Sequence, residues 1–249
     1  MIDDPAFYAV AVPAILLFGL SKSGLGAALG IASVPIMSLA VSPLRAAAIM
    51  LPIIIVMDVF AVWSYRRDAD LKTLKIVVPA ALAGIAIGWA LAARITDDHV
   101  RAILGVIAVA FAARHFLMGG ADAPPRPHNP PKGWFWGMVS GFTSFVSHSG
   151  GIPLQMYTLP LKLDPAALAG TTAFFFAIVN AAKLVPYIAL GQLSLAEVKT
   201  AAILSPLAPV SILAGVWLVR RIPKKPFYTL TYAGVMLVGL KLLYDAVLG

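Results

Sequence analysis

The sequence predicts an all-α polytopic membrane protein made of two inverted-topology repeats of about five segments each. Three observations carry that expectation. The 249 residues are 60% hydrophobic and only 12% charged, whereas a soluble domain carries about a quarter charged residues. Mean hydropathy is +0.90. The apolar residues also run in long blocks, at 72–93, 99–118, 166–190, 200–219 and 227–248. Each block is near the ~20 residues needed to cross a hydrocarbon core of roughly 30 Å. Finally, prolines and polar residues recur in the same order in both halves.

Breakers and charges divide the chain into apolar segments at 5–20, 25–41, 45–65, 72–93, 99–118, 134–147, 150–162, 166–190, 197–219 and 225–248. The first two and the sixth and seventh are short and broken. Each of these pairs either crosses twice or forms a re-entrant hairpin, which gives about eight to ten membrane segments. Either way the chain returns to the side it left. The halves are 1–119 and 134–249, joined by a Pro-rich linker at 120–133.

The loops sort by charge. The loop 65–72, the linker 114–132 and the turn 220–225 are basic, while the start of the chain, 96–99, 191–197 and the C-terminal end are not. Lys and Arg collect in cytoplasmic loops. This predicts the basic loops on the cytoplasmic side and both termini outside; the membrane expected is the inner membrane of a bacterium. The formal charge of +8 therefore needs no nucleic acid. There is no cysteine, so disulfides and thiolate metal sites are excluded. The start, Met1-Ile2-Asp3-Asp4-Pro5, lacks the positive charge of a signal peptide, so the first segment is expected to stay.

The repeat aligns in three blocks. Ser42, Asp58, Tyr65 and Leu71 precede Asp164, Asn180, Tyr187 and Leu193 by 122 residues. Val34-Pro35 precedes Ile152-Pro153 by 118, and Arg94-Ile95 precedes Arg221-Ile222 by 127. An odd number of segments per half inverts the second half, a transporter signature with substrate bound between discontinuous helices.

A charge at the bilayer centre costs at least about 2.5–3.5 kcal/mol, so intramembrane polarity marks function. The first constellation is the break from Ser21, Lys22, Ser23 and Gly24 through Gly26 to Gly30. Small residues let the helix unwind, and a restarted helix offers free amides to an anion. Lys22 adds charge there; a lysine snorkelling to the interface is the alternative. The second is the break Ser144, Ser147, His148, Ser149, Gly150, Gly151 and Gln155. His148 can donate to an anion or carry a proton. The third is Asp58 with its repeat mate Asn180, Lys183 one turn on and Thr171 upstream. Asp58 is either a proton carrier or a structural counter-ion. The candidate binding set is therefore Ser21, Lys22, Ser23, Gly24, Gly26, Ser144, Ser147, His148, Ser149, Gly150, Gly151, Gln155, Thr171, Asn180 and Lys183. Asp58 and His148 are the candidates for ion or proton coupling.

No catalytic motif of the GxSxG, HExxH or Walker type is present, so an enzyme is not expected, nor a cofactor or metal. The expected partners are a small anion and the lipid bilayer; a homodimer is left open. A carrier is favoured over a channel, because no ring of repeated charges suggests a pore.

At these residues the chain resembles the sulfite exporter TauE/SafE family. The resemblance rests on Ser21-Lys22-Ser23-Gly24-Leu25-Gly26, Val34-Pro35, Leu51-Pro52 and Asp58 in the first half. In the second half it rests on the run from Thr143 to Gly151, then Pro153, Tyr157, Leu159-Pro160, Gly170-Thr171, Phe175-Phe176, Asn180, Lys183 and Pro186-Tyr187. The resemblance implies ion- or proton-coupled movement of small sulfur-containing anions, such as sulfite or an organosulfonate like sulfoacetate. It implies also that the two breaks line the path. Where many members carry a Gly-Gly-Gly run, this chain has Ala28-Leu29-Gly30.

Overall fold

The computed structural model describes residues 5–25, 33–37, 39–41, 43–91, 97–117, 124–147, 149–189 and 195–248. Among them there are helices and turns but no strand. The order is α1 (Pro5–Leu20) with a π turn (Ser21–Leu25), α2 (Ser33–Met37), α3 (Pro43–Ser64), α4 (Leu71–Leu91) and α5 (Asp97–Leu117). The second half holds α6 (Pro130–Ser147), α7 (Gly151–Thr158) with a 3-10 turn (Leu159–Leu161), α8 (Pro165–Ala189), α9 (Leu195–Leu204), α10 (Leu207–Val219) and α11 (Lys224–Leu248).

Pro5–Leu25, Leu71–Leu91, Pro165–Leu184 and Lys224–Val247 are long and apolar enough to cross a membrane. The apolar pair α9–α10, bent by 48°, is either a fifth, broken span or a re-entrant loop. The bend falls at Pro206, which supplies no N–H and crowds the preceding turn. The chain is thus a multi-pass membrane protein.

Two boundaries differ from the sequence expectation. The linker was expected to run to residue 133, but α6 starts at Pro130. Asn129 Oδ1 accepts the Lys132 N–H at 3.0 Å, an N-cap, and Pro130 and Pro131 fit a first turn whose N–H groups have no helical partner. The segment expected at 150–162 is the short α7 and its 3-10 turn. Its 8 helical residues rise only about 12 Å, too little for a span. Lys162 reverses the chain at φ 48°, and the Arg126 N–H donates to Pro160 O at 2.9 Å. The α6–α7 pair is therefore a hairpin that returns beside its own start. For the segment expected at 25–41, residues 26–32 lie outside the described residues.

Ion pairs and a histidine–carboxylate hydrogen bond identify the two ends of the bundle. Arg220 meets Asp68 at 2.7 Å, His128 meets Asp70 at 2.8 Å and Lys224 meets Asp164 at 3.1 Å. The three basic loops thus lie at one end. Arg45 and Glu197 pair at 3.3 Å at the other.

The packing follows a pattern. α3 packs on α8 and α5 on α11, while α4 packs on α6 and α1 on α10. The α4–α6 contact needs a side chain with no Cβ, because a Cβ on Gly141 would collide with Ala81 O. Small residues let membrane helices approach this closely. Between α5 and α11, His115 stacks on Tyr232 with centroids 3.5 Å apart.

Candidate functional site

The first break opens at the end of α1. A π turn widens the helix, a distortion common at functional sites. Gly24 then turns at φ 111°, where a Cβ would come within 2.5 Å of the Ala169 Cβ. Other residues satisfy the backbone groups that the break frees, as a non-aqueous setting demands. Ser23 Oγ donates to Leu20 O at 2.7 Å, and the Tyr65 hydroxyl donates to Ser23 O at 2.6 Å.

Lys22 leaves this turn and places Nζ 2.8 Å from Asp58 Oδ1 on α3. Both side chains are nearly dry, at 12% and 7% exposure. The contact is ionic without hydrogen-bond alignment, so buried Oδ1 has no aligned donor. The other oxygen, Oδ2, accepts from Asn180 Nδ2 of α8 at 2.7 Å. One carboxylate therefore ties the first break, α3 and α8 together.

The second break follows α6. Ser140 Oγ donates to Gly150 O at 2.6 Å and the Ser149 N–H to Thr143 O at 3.2 Å. Lys183 of α8 reaches across to this helix end. Its Nζ donates to Ser144 O at 3.1 Å and to Ser144 Oγ at 3.0 Å. A cation at a helix C-terminus complements the dipole and its unpaired carbonyls. Lys183 is only 3% exposed. Among the described residues no carboxylate lies in salt-bridge range of it.

Between the two breaks lies a cavity of about 430 Å³. Of the residues expected from sequence, Ser21, Lys22, Gly24, Ser144, Gly151, Gln155, Asn180 and Lys183 line it. Gln155 Oε1 is buried there without a hydrogen-bond partner. Ser23, Ser149 and Gly150 serve the backbone of the breaks, as above. Thr171 faces elsewhere: it donates to Ala167 O at 2.6 Å and accepts the Asp70 N–H at 2.8 Å, fastening the turn 65–70 to α8. Its neighbour Thr172 lines the cavity instead. Gly26, His148 and the Ser147 side chain lie outside the described residues.

Of the apolar wall of Phe18, Met50, Phe176 and Phe227, sequence reasoning named Phe176 only as part of the family resemblance and gave none of the four a place in the site, nor Thr231. Thr231 lies within a long apolar helix and donates to Phe227 O at 2.9 Å. A lone helical threonine of this kind carries no sequence signal. The aromatics could have been found only by knowing which helix faces meet. His, Asp and Glu do not gather into a metal-binding group among the described residues.

No curated protein and no solved structure matches the chain. The family model of the sulfite exporter TauE/SafE family matches residues 11–242. That match spans both breaks, the Lys22–Asp58–Asn180 network and Lys183. With its multi-pass helices and its cavity between two broken segments, the chain belongs to the sulfite exporter TauE/SafE family, a family of membrane transporters of sulfur anions.

Proposed function

We propose that the protein is a secondary carrier that binds sulfite or a small organosulfonate, such as sulfoacetate, in the cavity between the two breaks. The observation that carries this reading is Lys183. It is a buried lysine on the cavity wall with no carboxylate within salt-bridge distance among the described residues. A buried charge needs a partner, and an anion in the cavity supplies one. Lys22 is the second cation, and Asn180 and Ser144 supply polar groups for the oxygens of a sulfonate.

Asp58 couples the anion to a proton in this scheme. With its carboxylate ionised, Asp58 competes with the substrate for Lys22. A proton on Asp58 releases Lys22 to the anion, so anion and proton occupy the site together. The unaligned Oδ1 is the place for that proton. His148 remains a second candidate for coupling.

The same reading includes an inverted repeat of 1–119 and 134–249 joined by the linker, with the site where they meet. Its support is the packing pattern. The mate helices α3 and α8 pack on each other, as do α5 and α11, while α4–α6 and α1–α10 are exchanged pairs. A two-fold relation generates these self and exchanged contacts. Asp58 and Asn180, aligned at equivalent positions, hydrogen-bond to one another. The gathering of basic loops at one end supports a cytoplasmic face there, in a bacterial inner membrane with both termini outside.

Proteoliposome flux tests the proposal. Sulfite or a C2 sulfonate should show saturable uptake that falls at least tenfold in Lys22→Ala and Lys183→Met, a loss of about 1.4 kcal/mol or more of binding. Asp58→Asn should remove dependence on a pH gradient. Wild-type flux in both lysine variants refutes the site.

A further inference from the structure

A second concavity lies on the outside of the same two helices. It is a groove of about 540 Å³ between α3 and α8, walled by Ile55, Val59, Val62 and Leu184. Asp58 and Asn180 border it at depth, and their polar atoms engage each other and Lys22. Val59 is 63% exposed and Trp63 59%. On a chain that crosses a membrane, this surface faces hydrocarbon.

The groove has one polar end. Arg66 lines it where α3 finishes, at the end of the bundle that carries the basic loops. Its guanidinium lies 5.0 Å from the Trp63 ring centroid, and Nη1 donates to Trp63 O at 2.7 Å. That bond uses one of five donors. The guanidinium is thus held against the groove mouth with donors left over, and Arg67 adds a second exposed charge beside it.

Length identifies the occupant. From Ile55 to Arg66 the helix rises about 16 Å. Half of a hydrocarbon core of roughly 30 Å is about 15 Å. The apolar part of the groove thus matches one leaflet in length, which would set its cation at the level of the headgroups. We propose that the groove holds one acyl chain of an anionic phospholipid whose phosphate rests on Arg66. Asn180 lines both the groove and the cavity, but the proposal does not depend on what the cavity carries. An apolar chain suits walls of Ile55, Val59, Val62 and Leu184, where the polar atoms of Asp58 and Asn180 are already engaged, and a planar guanidinium suits a phosphate. The chain also shields the Asp58–Asn180 pair from the side.

Native mass spectrometry of the full chain in detergent tests this, with phosphatidylglycerol and phosphatidylcholine of the same acyl chains as probes. Phosphatidylglycerol should bind about fivefold tighter, the roughly 1 kcal/mol that a basic residue gains at an anionic lipid surface. Arg66→Gln should abolish that preference, and Arg67→Gln, outside the groove lining, should keep it. Val59→Trp, which fills the groove, should weaken binding of both lipids. A preference unchanged in Arg66→Gln, or lipid binding unchanged in Val59→Trp, overturns the proposal. The chain has no cysteine, so Val59→Cys is a unique thiol. Efficient disulfide dimers of Val59→Cys in bilayers would mean that a second copy covers the groove, and would overturn it as well.

Discussion

The Lys22–Asp58 pair should behave as one energetic unit, and a double-mutant cycle measures it. The pair is 2.8 Å long and nearly dry, so solvent screening discounts it little. Removing one partner of a buried pair costs about 3–5 kcal/mol, because the other charge is left uncompensated. Lys22→Met should sit at the upper end. Asp58 is short, its position is fixed, and it would keep only the amide of Asn180. Asp58→Asn should sit at the lower end, because Lys22 lines the cavity and its flexible stem can turn the ammonium into it. At about 2–4 °C per kcal/mol for a chain of this size, the single variants should melt about 6–20 °C below the parent. The combined variant leaves neither charge stranded, so it should melt above at least one of the singles. The coupling should be about 3 kcal/mol. Melting in detergent followed by tryptophan fluorescence gives the ranking. A double variant as unstable as the sum of the singles, within about 0.5 kcal/mol, would refute the claim that these groups interact.

Two further outcomes follow from local geometry. Gly24→Ala should lower the melting temperature and abolish flux, since it puts a Cβ at φ 111° against Ala169 and left-handed backbone costs an L-residue roughly 1–2 kcal/mol before any clash; a fully active, equally stable variant would show that the first break does not need this turn. At the basic end of the bundle, burial pushes the Asp70 carboxyl up, but hydrogen bonds from Thr73 and His128 outweigh it and hold the group below its usual range. A lowered folded value means the stabilisation is complete above the ordinary carboxyl range near ~3.9 and is lost as pH falls through the folded value. The parent should therefore lose melting temperature more steeply than Asp70→Asn between about pH 5 and pH 3, and parallel curves would remove Asp70 from the account.

How much of this was legible in the sequence depends on the range of the interaction involved. Long apolar blocks are set by bilayer thickness, a local length requirement, and α4, α8 and α11 fall within about two residues of where the blocks put them. Charge sorting is additive along the chain, and it gathered the loops that the Arg220–Asp68 and His128–Asp70 pairs join. The start of α6 was missed because an Asn-Pro-Pro sequence reads as linker until one sees Asn129 capping the helix that its two prolines begin.

The site divides along the same line. Lys22, Asp58, Asn180 and Lys183 were visible because a polar residue in an apolar run is costly wherever the run ends up. Which partner each takes was not visible, because that requires the packing of α3 on α8 and of α8 on the end of α6. Thr171 and Thr172 make the point most sharply. They are adjacent, chemically identical and equally anomalous in sequence. Successive helical positions are about 100° apart, so one faces the cavity while the other binds the turn at Asp70. Composition can nominate such a pair, but only the rotation of the helix decides between its members. Close packing at two glycines constrains that rotation: a Cβ on Gly24 would meet Ala169, and one on Gly170 would meet Tyr65. On the proposed function, these glycines act on the substrate by holding the helix rotation that turns Thr172 rather than Thr171 to the cavity.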